Sequence, residues 1–176
     1  MWKSMFQCRE NLNVFVEHHP YHENLNKKIL QDSLEFNFVD AEQSIQRGGD
    51  YSNVRALQTI EGVITSKSID LIYEWIVNLI RKEYRGWNYR VDNAWLARYD
   101  KGNYAVSHDH IPALFSFVYF VRCPRGSAPL VFTTSGKRIK AEDGKVVIFT
   151  GNMRHHVPTN KSDGRMVLAG NVIINN

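Results

Sequence analysis

Apolar residues recur at helical spacing in the first half of the chain and in short strand-length runs in the second. Between residues 68 and 85, Ile69, Ile72, Ile76, Leu79 and Ile80 share one face, which predicts an amphipathic helix. Ser68 is placed to cap its start, Asp70 suits the first turn, and Gly86 supplies the stop signal. A weaker helix is predicted over 24–34, with Leu25, Ile29, Leu30 and Leu34 facing inward, and 46–53 reads as an exposed loop. From residue 93 the pattern changes. Runs at 93–99, 104–110, 114–121, 130–134, 145–149, 155–157 and 166–174 are separated by Gly, Pro, Asn and Asp and read as strands. Helices first and strands afterwards make the chain α+β, or mainly β with helical support. That many short strands predict a sandwich or barrel, and a jelly roll is the variant that can enclose a ligand between two sheets.

The chain has 176 residues, 43% of them hydrophobic, enough for one sizeable core. It therefore reads as a single domain over 1–176, with a helical and mixed support region at 1–92 and a strand core at 93–176. A net charge of +4 is a mild basic bias, well below that of a dedicated nucleic-acid binder, and the sequence contains no arginine-rich run. No apolar stretch approaches the ~20 residues of a membrane helix, and MWKSMFQCREN lacks the apolar segment of a secretory signal. The expectation is a soluble, cytoplasmic protein with no membrane partner. Cys8 and Cys123 fit no metal or disulfide pattern and read as plain thiols.

The chemistry lies in the histidines. Of the seven, His18, His19 and His22 have no partner pattern and read as surface residues, whereas His108, His110, His155 and His156 fall in the strand-rich part. Residues two apart on a strand share a face, so His108 and His110 can present two imidazoles to one side while Asp109 points away. His155, arriving on another strand, would complete a three-sided metal set. His156 faces the other way and is expected to form hydrogen bonds outside that set. A solitary Arg165, ten residues after His155 on a strand otherwise reading MVLAGNVII, is unexpected in a core unless its charge meets an anion. A carboxylate is the natural guest of a planar, two-pronged guanidinium.

Together, RYDKGNYAVSHDHIP, LFSFVYFV, EDGKVVIF and HHVPTNKSDGRMVLAGN resemble the iron(II)/2-oxoglutarate-dependent oxygenases. The likeness is to their prolyl-hydroxylase-like branch and to small oxygenases of bacteria and phages, and it covers residues 93–174. It implies a double-stranded β-helix, a jelly-roll variant, with Fe(II) near its open end and 2-oxoglutarate and molecular oxygen as partners. A phage-encoded member would act in the host cytoplasm. It assigns His108, His110 and His155 as metal ligands and Arg165 as the partner of the distal carboxylate of 2-oxoglutarate. Tyr99 falls where the family often places a cosubstrate-contacting Tyr, and Asn171, on the Arg165 face of its strand, is expected to line the same pocket. By parity Ser116 and Tyr119 face opposite ways; Ser116, sharing a face with Phe120, is the expected polar liner. Trp95, Phe115, Phe117 and Phe132 are expected walls. Arg122, Arg125, Lys137, Arg138 and Lys140 read as a solvated face.

Most of the family has HxD or HxE where this chain has His108-Asp109-His110. Two alternatives remain at this level: Asp109 turning inward through a bulge, or His156 replacing His155. The implied activity is a hydroxylase that couples decarboxylation of 2-oxoglutarate to succinate with oxidation of a substrate, a protein or peptide side chain being the first expectation. Three imidazoles also fit an iron oxygenase that does not use 2-oxoglutarate, with Arg165 holding a substrate carboxylate. A jelly-roll binding or virion-associated module without catalysis is the reading from a different class, and metal uptake separates it from both.

Overall fold

Both kinds of periodicity appear as elements in the computed structural model, which describes residues 12–40, 53–59 and 62–175. In chain order these are β1 (Val14–His18), α1 (His22–Asp32), a 3₁₀ turn (Ser33–Glu35), β2 (Phe38–Asp40), β3 (Val54–Arg55), β4 (Leu57–Thr59), α2 (Lys67–Glu83), β5 (Tyr89–Tyr99), β6 (Tyr104–His108), β7 (Phe115–Arg122), β8 (Leu130–Phe132), β9 (Arg138–Ile139), β10 (Lys145–Thr150), β11 (His155–Val157) and β12 (Arg165–Ile174). Cys8 and positions 46–52 of the expected loop lie outside the described residues.

The strands form two antiparallel sheets, one ordered β1-β10-β7-β12-β5-β4-β2 and the other β3-β6-β11-β8-β9. This is the jelly-roll architecture. The larger sheet is covered on both faces, so its central strands are almost wholly apolar rather than alternating. Phe115, Phe117, Tyr119, Ile148, Leu168 and Leu96 pack against the helices, together with Ile29, Ile69, Ile72 and Ile76. Val118, Phe120, Val147, Phe149, Val167 and Ala97 face the smaller sheet, where Leu130, Phe132 and Val157 meet them. Each such side chain contributes about 1.5–3 kcal/mol on burial. None of the helices among the described residues is long and apolar enough to cross a membrane.

Several boundaries differ from expectation. Ser66, not Ser68, caps α2: its Oγ accepts from the Ile69 N–H at 3.2 Å and donates to Asp32 Oδ2 at 2.6 Å. The sequence TSKS offers both serines, and the position of Asp32 selects one. Leu34 is 80% exposed rather than buried, because the α-helix ends at Asp32 and the 3₁₀ turn rotates it outward. β5 starts at Tyr89, before the expected 93, and β9 was not expected. The early segments β1, β4 and β3 join the sheets by pairing with β10, β5 and β6. Among the N-terminal histidines His18 is exposed, while His19 is half-buried with its ring 4.8 Å from Trp75.

Candidate metal centre

The smaller sheet sets two of the three histidines opposite one another: His155 opens β11 in register with His108, the last residue of β6. β6 ends there, so His110 is not placed by strand alternation as expected. The chain turns instead. The His110 N–H donates to Gly151 O at 2.7 Å and His110 O accepts from Ala113 N–H at 2.8 Å, which seats the turn on the end of β10. A Cβ on Gly151 would lie 2.2 Å from Ala113 O, so only glycine permits this approach. The rings of His108, His110 and His155 converge with centroid separations of 4.9, 4.4 and 5.1 Å, and one nitrogen of each lies within 4.8 Å of the others.

The ring orientations suit metal ligation. His108 Nδ1 lies 2.7 Å from Val106 O and His155 Nδ1 2.9 Å from Met153 O. Only a protonated Nδ1 bonds a carbonyl, which leaves the Nε2 lone pair of each ring free. Burial pushes all three imidazoles toward the neutral form that ligates. His110 falls to about 3, by burial and then by its two histidine neighbours. His155 falls to about 4 through burial and His108, and His108 itself is lowered chiefly by burial. Asp109 does not turn inward: its Oδ2 accepts from Arg154 Nη1 at 3.4 Å and Oδ1 from the Ile111 N–H at 3.4 Å. Arg154 Nη2 also donates to Ser107 O at 2.9 Å. His156 lies on the outer side, its Nδ1 3.0 Å from Thr133 Oγ1, which in turn meets Ser107 Oγ at 2.8 Å.

Arg165 sits opposite Tyr99 in the β12–β5 ladder and has no exposed surface. Its Nε donates to Ala128 O at 3.1 Å, and its Cζ stands 4.5 Å from the Tyr99 ring centroid and 5.5 Å from that of Phe120. Both terminal nitrogens are buried and lack a hydrogen-bond partner among the described residues. Burial pushes the Arg165 pKa down and that of Tyr99 up, so the site works against the charge it encloses. Asn160, buried and absent from the sequence expectations, braces the surroundings by donating from Nδ2 to Tyr99 O at 3.1 Å and accepting from the Ala128 N–H at 2.8 Å. Between Arg165 and the level of Trp95 and the histidines, the inner face carries Val167, Ala169 and Ala97. Those four steps of β12 span about 13 Å, a distance that a guanidinium and a small dicarboxylate together can bridge.

Ser116 and Asn171 lie further along the same inner face. They are ladder partners joined by a hydrogen bond of 2.8 Å, and Asn171 lies six residues beyond Arg165 on the same strand face. Tyr119 faces the helices, where its OH donates to Asn26 Oδ1 at 2.6 Å. Phe115 and Phe117 also face the helices and are not walls of the site; of the four expected, Trp95 and Phe132 lie on the inner side. Phe149 was missed, although its ring centroid is 4.7 Å from that of His155. Its spacing from Val147 carried the signal once the inner face was known. Arg122, Arg125, Lys137, Arg138 and Lys140 are exposed.

No protein-family model matches the sequence, and no curated protein matches it either. Solved structures do match. The chain is similar to the viral collagen prolyl hydroxylase vCPH of Paramecium Bursaria Chlorella virus-1, determined as a 2OG complex, with a TM-score of 0.67 at 15% identity over 90% of this chain and 94% of that one. A prolyl hydroxylase of Trichoplax adhaerens, in complex with a hypoxia inducible factor peptide fragment, gives 0.67 at 12% identity over 90% and 82%. HygX of Streptomyces hygroscopicus, holding nickel, 2-oxoglutarate and hygromycin B, gives 0.67 at 9% over 92% and 82%. At such identities the likeness establishes the fold, that of the prolyl-hydroxylase-like 2OG-Fe(II) oxygenases.

Proposed function

We propose that the protein is an iron(II)/2-oxoglutarate-dependent oxygenase that hydroxylates a protein or peptide side chain. One observation carries the reading: three imidazoles converge with one nitrogen of each within 4.8 Å of the others, and on the same inner face, four residues along β12 from the level of Trp95, stands a buried guanidinium whose terminal nitrogens have no partner among the described residues. Both halves fit the groups they would hold. The free Nε2 atoms of His108 and His155 are donors for a ferrous ion, and the orphaned Arg165 nitrogens match a carboxylate in fork geometry.

His108, His110 and His155 would hold the metal, leaving it room for further donors. Arg165 would anchor the far carboxylate of 2-oxoglutarate above the Tyr99 ring. Iron and 2-oxoglutarate, when bound, would activate molecular oxygen, which is the oxidant: one oxygen atom would enter succinate as 2-oxoglutarate loses carbon dioxide, and the other would become the substrate's hydroxyl. The protein binds, orients and excludes water. Phe149, Phe132 and Val118 keep the inner face dry, which strengthens the Arg165–carboxylate attraction. Three neutral ligands leave the ion's +2 charge uncompensated, so a dianionic cosubstrate is drawn to both ends of its site.

The all-histidine set also favours a second reading, an oxygenase that does without 2-oxoglutarate and uses Arg165 for the carboxylate of its substrate. One experiment separates them. Anaerobic addition of Fe(II) and 2-oxoglutarate should produce the visible charge-transfer absorption of the chelate, and admitting oxygen should release succinate. Metal uptake with neither signal would leave the second reading, and no metal uptake would leave a non-catalytic module.

A further inference from the structure

Beside the histidines the larger sheet carries a polar row that neither the triad nor Arg165 uses. Ser116, Asn171 and Asn93 are successive ladder partners on β7, β12 and β5. The Ser116 hydroxyl donates to Asn171 Oδ1 at 2.8 Å, and Asn171 Nδ2 donates to Asn93 Oδ1 at 2.7 Å. In the reverse sense the buried hydroxyl proton would have no acceptor among the described residues, so the donors point outward. Exposure follows the same direction: Ser116 is 1% exposed, Asn171 7%, and Asn93 lies at the surface. Asn93 Nδ2 meets no partner among the described residues, so the row ends in free N–H donors.

Its place is set by its neighbours. Phe149, the partner of Ser116 on β10, packs its ring against His155, and Trp95, two residues from Asn93 on the same face, has its ring centroid 5.9 Å from that of His110. The row therefore flanks the imidazoles on the side away from Arg165. A bulge ends the regular ladder just past the row: Asn171 pairs with Asn93 and Val172 with Val91, leaving Asp92 as the extra residue of β5. The charges there cancel, since Arg90 and Asp92 pair at 3.2 Å. No cation in the row can serve a carboxylate, and Arg165 stands six residues away along β12.

We infer that Asn93, backed by Asn171 and Ser116, is a specificity subsite that takes an uncharged carbonyl oxygen of the substrate beside the metal centre, with the Trp95 ring flanking it. The inference rests on the oxygenase reading above. Ordered donors polarise one another, so the outermost N–H is a better donor than an isolated carboxamide. The row thus offers neutral donors to a carbonyl oxygen and holds no cation that a carboxylate would need as its partner.

The test uses the full chain loaded with Mn(II) and 2-oxoglutarate, with N-acetylglycine N-methylamide and the anion N-acetylglycine as probes. Paramagnetic broadening of their methyl resonances reports approach to the metal. Wild type should broaden the amide, and Asn93→Ala and Asn93→Asp should each weaken that binding roughly tenfold, whereas broadening of the anion, which the metal's own charge attracts, should survive Asn93→Ala. Asn93 is at the surface, and a melting curve confirms that each variant folds. The 2-oxoglutarate affinity, read from the Fe(II) chelate absorption, should move far less than amide binding. Undiminished broadening of the amide in both variants would overturn the inference, as would an equal loss of both probes in Asn93→Ala. A parallel loss of 2-oxoglutarate affinity would assign the row to the cosubstrate. Failure of wild type to bind metal and 2-oxoglutarate would instead remove the oxygenase reading, and this inference with it.

Discussion

Arg165 is held at a cost, since a guanidinium with no exposure and one carbonyl partner has lost its water without full compensation. Replacing it by a similarly sized apolar residue should relieve that cost. Arg165→Met is expected to stabilise the ligand-free protein by about 1–4 kcal/mol while abolishing 2-oxoglutarate binding. Thermal unfolding and cosubstrate titration check the two halves, and a variant less stable than wild type would mean that Ala128 and the aromatic rings already compensate the charge. The histidines give a pH dependence of definite sign. Their folded-state pKa values are depressed, to about 3 for His110 and about 4 for His155, below the ordinary 6.5. The unfolded chain therefore binds more protons in that window, and the metal-free protein should lose stability as pH falls below about 6.5. Denaturant midpoints across this range measure it; a flat profile would mean that the rings are already protonated when folded. Arg165 was legible in the sequence because a lone charge in an apolar run has few uses. The outward turn of Phe115 and Phe117 was not, because alternation specifies two faces without saying which one meets the ligand.

At the level of elements, the site depends on a brace outside it. Arg154, on the segment leading into β11, reaches Ser107 O and Asp109, which flank His108 in the segment leading to His110. Arg154→Ala should leave the fold intact, since the side chain is 54% exposed, and lower metal affinity by roughly 10–100-fold, the usual effect of losing a group that orients ligands. Metal titration measures this, and unchanged affinity would mean that the His110–Gly151 backbone bond holds the turn alone. The strand order was readable only in part. Residues 155–157 form the expected strand, but the turn after β6 depends on backbone bonds of His110 to Gly151 and Ala113, more than 40 residues and three residues beyond His110 respectively. Parity therefore put His110 on the correct side for an incorrect reason.

For the whole molecule, ligand binding should register as stability. Metal and cosubstrate that bind only the folded state add about 2.7 kcal/mol at a concentration one hundred times Kd. Melting temperature should therefore rise in two steps, with Fe(II) under anaerobic conditions and again with 2-oxoglutarate. Arg165→Met should keep the first step and lose the second; retention of both would place the dicarboxylate elsewhere. The sequence by itself determined the class of fold, the two helices, the histidine segments and the isolated cation, because each is written in local periodicity or in a residue type that burial forbids without a partner. Tertiary structure alone decided that Asp109 faces Arg154, that Ser66 caps α2, and that Ser116 and Asn171 join Asn93 in one row beside the histidines. The first two depend on side-chain contacts between segments far apart in the chain, and the last on register between distant strands, where a shift of one residue exchanges the two faces of a sheet.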